Sequence, residues 1–396
     1  MEHFEIVLAL CRSAVQARNP GVLNHLRRLV RALKKDGCLD QAELLAGLDR
    51  QNDVAQEIQP SRVVLSFVND DREALTKDVK PPVDRETSTA LANIIQPDEL
   101  QAEAPVFDPE LSGSIGGLLE EWRNVDRLLA YNVQPAMSLM VFGAPGTGKT
   151  MLAHFIAQQL QLPLVVARLD GLVSSFLGTT ARNISNLFAF AHRYRCILLL
   201  DEFDAIAKLR DDPNELGELK RVVNTLLQCL DSRSEGGFTI AITNHQSLLD
   251  PAVWRRFDIR IQVPKPNFKT RVDIVKHHFE GSLPLSEPQI EFLAWLTSGY
   301  SGADIQRLAH FVKRHVAING AINGNFVEVA RRYVQLSASD AESKNREAAL
   351  GDNEDIAFAL SSDPDSSMSQ EELANLFGKA QTTISRWLKD RRHTRA

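Results

Sequence analysis

Apolar and polar positions along this chain follow two rhythms, and the places where the rhythm changes mark its parts. From residue 4 to residue 50 the apolar positions recur at helical spacing. Phe4, Leu8, Cys11 and Val15 form one stripe, which Asn19-Pro20-Gly21 interrupts. Leu23, Leu26, Val30 and Leu33 form a second that Asp36-Gly37 ends, and Leu44, Leu45 and Leu48 belong to a third. Three short amphipathic helices can bury a small core against one another, so residues 1–58 are predicted to be a helical adaptor module. Arg27, Arg28, Arg31, Lys34 and Lys35 crowd the second helix and read as its solvated face.

The rhythm then fades. From Asp70 to Glu110 acids outnumber bases eleven to four, and Pro81-Pro82 sits in the middle. Residues 59–104 are therefore predicted to be an acidic, loosely ordered tether. Over 105–264 short apolar runs alternate with helical patterns, the signature of an α/β domain with a parallel sheet. The strands fall at Leu139–Phe142, Leu164–Arg168, Cys196–Leu200, Thr239–Thr243 and Ile259–Val263. Residues 265–337 read as all-helical and 338–351 as a second linker. Residues 352–396 read as a compact helical piece.

Composition changes this picture little. Hydrophobic residues at 44% and charged residues at 24% suit a soluble globular protein. A net charge of −6 gives no blanket attraction to nucleic acid, so any such contact must be local. Cys11, Cys38, Cys196 and Cys229 lie far apart without metal-type spacing, which fits reduced thiols in the cytoplasm. Glu2 and Glu5 stand where a secretory signal would carry basic residues, and no apolar stretch is long enough to span a membrane.

The candidate chemistry lies in the middle. Gly143-Ala144-Pro145-Gly146-Thr147-Gly148-Lys149-Thr150 fits G-x-x-x-x-G-K-[ST] between a strand and a helix that continues from Met151. Glycines let the backbone N–H groups turn onto the phosphates of ATP, and the helix N-terminus adds partial positive charge. Lys149 would neutralise the outer phosphates, while the Thr150 hydroxyl would hold Mg²⁺. About 50 residues on, the apolar strand Ile197-Leu198-Leu199-Leu200 ends in Asp201-Glu202. Asp201 would anchor the magnesium shell, and Glu202 would orient and deprotonate the attacking water. Thr239–Thr243 delivers Asn244 to the same edge, where an amide can position water or touch the γ-phosphate. Arg255 and Arg256, in Trp254-Arg255-Arg256-Phe257-Asp258, make sense as cations reaching into a neighbouring subunit's site.

Together these residues resemble the AAA+ ATPase family, in its AAA branch of unfoldases and remodellers, over roughly residues 105–335. The resemblance implies a P-loop α/β domain with a helical lid, ATP hydrolysis with Mg²⁺, and a ring, most often a homohexamer. It also implies a protein substrate. Asp170-Gly171-Leu172-Val173-Ser174-Ser175-Phe176-Leu177-Gly178 is similar to the family's pore loop, in which Phe176 would grip a polypeptide and Leu177-Gly178 complete the pattern. Ser301-Gly302-Ala303-Asp304 resembles the opening of the lid helix, with Ala303 excluding an arginine sensor there. Gly178-Thr179-Thr180-Ala181 departs from the usual Gly-Glu-Ser-Glu. The compact Trp-Arg-Arg-Phe resembles single-ring bacterial members, for which a protease or a defence protein is an expected partner. Arg256 is the first choice of finger and Arg255 the second, and the choice between them stays open.

Residues 369–390 carry A-x3-G-x5-I-x2-W at Ala374, Gly378, Ile384 and Trp387, which resembles the helix-turn-helix of bacterial regulators. Gln381, Thr382, Thr383, Ser385 and Arg386 would then face a DNA major groove. From Lys379 to Arg395 six Lys/Arg stand against one acid, which suits phosphate contacts. The expected protein is thus a threading remodeller recruited to DNA. The alternative is a DNA-binding regulator that uses ATP-dependent assembly as a switch and threads nothing.

Overall fold

The computed structural model describes residues 72–100, 103–172, 177–207, 218–233, 237–320, 326–337, 345–366 and 368–395, together with Val30 and Leu33. Those last two are helical and buried; the rest of the expected adaptor module, residues 1–58, lies outside the described residues.

Six strands make the main sheet: β2 (Ala92–Ile95), β3 (Ser138–Phe142), β4 (Leu164–Ala167), β6 (Ile197–Leu200), β7 (Thr239–Thr243) and β8 (Ile259–Gln262). Their order is β2-β4-β6-β7-β3-β8, with β2 antiparallel to β4 and every other pair parallel. A two-residue parallel ladder joins β1 (Glu73–Ala74) to β5 (Tyr194–Arg195). The five strands expected from the apolar runs match to within a residue at each end. Their runs are continuous because both faces are covered. Along the pleat, Leu139, Val141, Leu164, Ile197, Leu199, Ile240 and Ile242 face one core. Met140, Val165, Leu198, Leu200 and Ala241 face the other, as a period of two requires.

The helices α1 (Pro109–Arg123), α2 (Val125–Ala130) and α3 (Lys149–Leu160) come first. Trp122 on α1 and Leu152 and Ile156 on α3 fill the first core. Next come α4 (Leu169–Leu172), α5 (Leu177–Arg193), α6 (Asp204–Ala207), α7 (Glu218–Arg233) and α8 (Pro251–Trp254). Leu187 on α5 and Leu226 on α7 belong to the second core.

The acidic tether needs correction. Residues 72–100 are folded onto the domain, with Leu91 and Ala92 fully buried and β2 paired along the whole of β4. Acidic side chains dominate the composition there. The apolar run Leu91-Ala92 with Ile94-Ile95 nevertheless supplies the sheet's edge strand.

Eight further helices follow: α9 (Phe268–Phe279), α10 (Glu287–Leu296), α11 (Gly302–Asn319), α12 (Phe326–Leu336), α13 (Arg346–Leu350), α14 (Asn353–Ser362), α15 (Gln370–Phe377) and α16 (Gln381–Arg395). The sequence places a linker at 338–351 and an independent module at 352–396. Instead, α13 lies inside that linker with Ala349 buried, and one continuous core runs from Val275 on α9 to Leu388 on α16. Polar contacts cross the seam as well. Trp295 Nε1 donates to Asp363 Oδ2 at 3.1 Å and Asn345 Nδ2 to the Trp295 carbonyl at 2.8 Å. Arg331 Nη2 donates to Asn353 Oδ1 at 2.8 Å. Apolar residues at helical spacing, Ile356, Ala357 and Leu360, complete the lid's buried face. No described helix is long and apolar enough to cross a membrane.

Leu373 on α15 is fully buried in that shared core. Leu373→Ala is expected to cost about 3 kcal/mol and to lower the melting of the lid and the C-terminal helices together. Calorimetry resolving a separate transition for residues 346–395 would contradict the shared core.

Candidate nucleotide site

The loop between β3 and α3 takes a shape that its glycines permit. Gly143, Gly146 and Gly148 have φ of 150°, 74° and 98°. A Cβ on Gly143 would lie 2.2 Å from the Val263 carbonyl oxygen. Gly148 caps α3 with no side-chain hydrogen bond, so the first-turn N–H groups of Lys149, Thr150 and Met151 face the cleft as a natural anion site. Lys149 is buried, and its Nζ donates to the carbonyls of Gly143 (2.9 Å) and Ala144 (2.6 Å). Burial pulls its pKa down while Asp201 and Asp204 oppose the shift. Held by the loop's own carbonyls, this cation lies within reach of phosphates bound on the loop.

The Thr150 Oγ1 hydroxyl donates to Asp201 Oδ2 at 2.9 Å, so the two groups predicted to share a magnesium shell already meet. Hydroxyl and carboxylate oxygens suit this hard cation. Among the described residues no group of three or more His, Cys, Asp or Glu could hold a metal ion, so Mg²⁺ here would depend on Thr150, Asp201 and phosphate oxygens.

At the end of β6 the backbone turns sharply. Glu202 has φ 48°, a left-handed conformation costing a non-glycine residue about 1–3 kcal/mol. Its N–H donates to Asp201 Oδ1 at 2.8 Å, and the next N–H, of Phe203, donates to the Ile242 carbonyl at 2.8 Å. Phe203 is fully buried against Phe257, edge to face, with ring centroids 5.6 Å apart. Anchored this way, the turn leaves the Glu202 side chain exposed on the cleft wall. Asn244, also exposed, follows β7 onto the same wall. Beside it Thr243 Oγ1 donates to Asp204 Oδ1 at 2.8 Å and accepts from the His245 N–H at 3.0 Å.

The cleft measures about 460 Å³, within the ordinary size range for a small-molecule site. Two of its walls carry no motif and were missed in the sequence. A strap over residues 103–107 closes one side, and Ile274, His277 and His278 of α9 close another. His277 Nε2 lies 2.9 Å from Glu103 Oε2 across the mouth. Burial, then His277, His310 and Lys313, push the His278 pKa down, with Glu103 opposing. Val106-Phe107 was the available signal, an apolar pair at the end of an acidic stretch. The lid completes the enclosure. Ser301 caps α11 in a capping box with Asp304, and the Ala303 N–H donates to the Gly146 carbonyl at 3.0 Å.

Arg255 and Arg256 do not line this cleft; both are exposed. Arg256 is committed elsewhere: its Nε and Nη2 reach the two oxygens of Asp231 on α7 at 2.6 and 3.3 Å. Arg255 has no ion pair among the described residues. Asp258 is structural, its Oδ2 accepting from the N–H groups of Met137 and Ser138 and from the Ser138 hydroxyl. Phe176 lies outside the described residues; Leu177 and Gly178 open α5. In the C-terminal unit Gln381, Thr382 and Arg386 are exposed, while Thr383 and Ser385 are half-buried. Gly378, at φ 61°, ends α15, and Trp387 packs edge to face on Phe377 with centroids 5.6 Å apart. Arg391 is not free for phosphate, since it pairs with Asp352 (2.6 Å) and Asp355 (3.2 Å).

Residues 139–265 match the family model described as ATPase family associated with various cellular activities (AAA). An uncharacterized AAA family ATPase, y4kL of Sinorhizobium fredii, is 40% identical over 192 residues, which is 48% of this chain and 58% of that protein. The 26S proteasome regulatory subunit 10B homolog A of Arabidopsis thaliana is 29% identical over 288 residues, 67% of this chain and 72% of that one. Among solved structures the FIGL-1 AAA domain superposes with a TM-score of 0.51 at 21% identity, covering 65% of this chain and 90% of that domain. This last likeness speaks for the fold alone.

Gly146 offers the sharpest test of the enclosure. A Cβ there would lie 2.7 Å from Ser301 Oγ and 3.0 Å from Ala303 Cβ, on a left-handed backbone. Gly146→Ala should therefore wedge loop from lid and weaken ATP binding by about tenfold or more, measured by titration with a fluorescent ATP analogue. Unaltered affinity would mean that this contact plays no part in binding.

Proposed function

We propose, from the match of residues 139–265 to the AAA ATPase family model, that the protein is an ATP-hydrolysing ring machine that remodels a protein substrate. The meeting of Thr150 and Asp201 at 2.9 Å beside an exposed Glu202 carries the proposal. ATP would seat its phosphates on the loop, with the first-turn amides of α3 and Lys149 taking their charge. Thr150 and Asp201 would hold Mg²⁺, whose positive charge would offset the charge that develops on the phosphates. Glu202 orients a water and takes its proton as the water attacks the γ-phosphorus and the bond to the bridging oxygen of the leaving ADP breaks, and Asn244 helps align that water from the same wall.

One charge is missing from the cleft. Among the described residues no arginine lines it, so the guanidinium that stabilises the transferring phosphoryl group would come from an adjacent protomer. A head-to-tail contact of this kind closes into a ring, for which we propose a homohexamer. Arg255 fits the role better than Arg256, the reverse of the first choice from sequence, because Arg256 is held by Asp231. Arg256 then splints the segment that presents its neighbour.

Glu202→Gln should bind ATP yet hydrolyse it at least about a hundredfold more slowly, and Arg255→Ala should fall by a similar factor. Mixing the two variants should restore turnover above either alone. In such rings a Glu202→Gln chain lends Arg255 to a neighbour that retains Glu202. Failure of the mixture to recover would remove the shared pocket.

The relative named as a proteasome regulatory subunit supports a protein as substrate, and Phe176 would grip it as it passes through the ring. A second reading, a DNA-binding regulator that threads nothing, is favoured by the exposed Gln381, Thr382 and Arg386 at the start of α16. Deleting residues 369–396 cannot separate the two readings, since Leu373 and Ile384 fill the lid's core. Point variants can. Phe176→Ala should abolish substrate processing and keep basal hydrolysis, while Gln381→Ala with Arg386→Ala should affect only DNA-dependent behaviour. A fully active Phe176→Ala protein would favour the regulator.

A further inference from the structure

The chain divides mechanically at a different place from its composition. The sheet body and the lid have separate cores. Between them run the residues after β8, Val263-Pro264-Lys265-Pro266-Asn267, and Asn267 caps α9. No such break separates the lid from α13–α16: Trp295 and Phe326 share one core with Leu360, Leu373 and Ile384. The seam is also bolted by Trp295–Asp363, Asn345–Trp295 and Arg331–Asn353 hydrogen bonds. At its other end this same body touches the phosphate loop itself, through Ala303 N–H to the Gly146 carbonyl and through Ser301 against Gly146.

We infer that the lid and the C-terminal helices are a single lever, so that nucleotide on the phosphate loop sets the affinity of the α16 surface for DNA. This rests on the reading of α16 as a DNA-contacting face. Phosphates settling on the loop alter what Gly146 presents to Ala303, and the joint at 263–267 lets the lid respond. Because the seam is a packed core, each α16 face, with Gln381, Thr382 and Arg386 and the exposed Lys379, Lys389 and Arg392, moves with its own lid. Its surface stays unchanged; what nucleotide alters is the spacing between the α16 faces of neighbouring protomers in the proposed ring, which a duplex touching more than one face must match. A tethered module would instead hold its DNA contacts whatever the lid did. Coupling of this kind is reciprocal: DNA must change nucleotide affinity by the factor through which nucleotide changes DNA affinity.

Two measurements on the full chain test this. Fluorescence anisotropy with a mixed-sequence DNA duplex, without nucleotide, with ADP and with a non-hydrolysable ATP analogue, should give DNA affinities differing by about 5-fold or more. Nucleotide affinity should shift by the same factor when DNA is added. Dyes at Arg314 on α11 and Lys389 on α16, both exposed, should keep a constant distance in all conditions, while a pair at Glu120 on α1 and Lys389 changes. DNA binding that is equal in every nucleotide state would overturn the lever and leave the DNA reading standing. A chain that binds no DNA in any state would sink the DNA reading and this inference with it. An Arg314–Lys389 distance that moves with nucleotide would overturn the rigid seam directly.

Discussion

One backbone hydrogen bond, from the Ala303 N–H to the Gly146 carbonyl, joins the two bodies of this protein at the place where ATP chemistry would occur. Everything around it is arranged so that this contact can form. Gly146 adopts a left-handed φ and leaves no room for a side chain. Ser301 and Asp304 cap α11 reciprocally, fixing the first turn that supplies the donor. The parallel strands β6, β3 and β7 bring Asp201, the loop and Asn244 to one sheet edge opposite that turn.

A second constraint links the Glu202 turn to the segment that carries Arg255 and Arg256. Glu202 is held in a strained turn by the burial of Phe203, and Phe203 packs on Phe257. Phe257 directly follows Arg255 and Arg256. Glu202 and the Arg255-Arg256 segment are therefore tied through one aromatic contact, 5.6 Å between rings. Packed interiors shift between discrete arrangements more readily than they stretch. A change at Glu202 thus has a short physical route to Arg255.

Much of this was legible from residue order. Strands buried on both faces must be apolar throughout, so five of the six in the main sheet stood out, and the loop and Asp201-Glu202 follow from spacing. What stayed hidden depends on distant partners. β2 lies in an acid-rich stretch and becomes a strand because β4 has a free edge to pair with. The Glu103–His277 contact spans 174 residues, and Asp231 claims Arg256 from 25 residues away. The fusion of lid and C-terminal helices was misread for the same reason. Acidic, serine-rich composition reported solvent-facing positions, whereas Ala349, Ile356, Ala357 and Leu360 decided the packing.

The shared core also bears on how such a chain can diversify. Helices that complete another unit's interior cannot be traded like a cassette: a graft at residue 345 would bring mismatched volumes to Trp295 and Phe326. Substitutions on either flank must compensate one another. The exposed face of α16 therefore drifts in concert with the lid beneath it, and neither can be inherited alone.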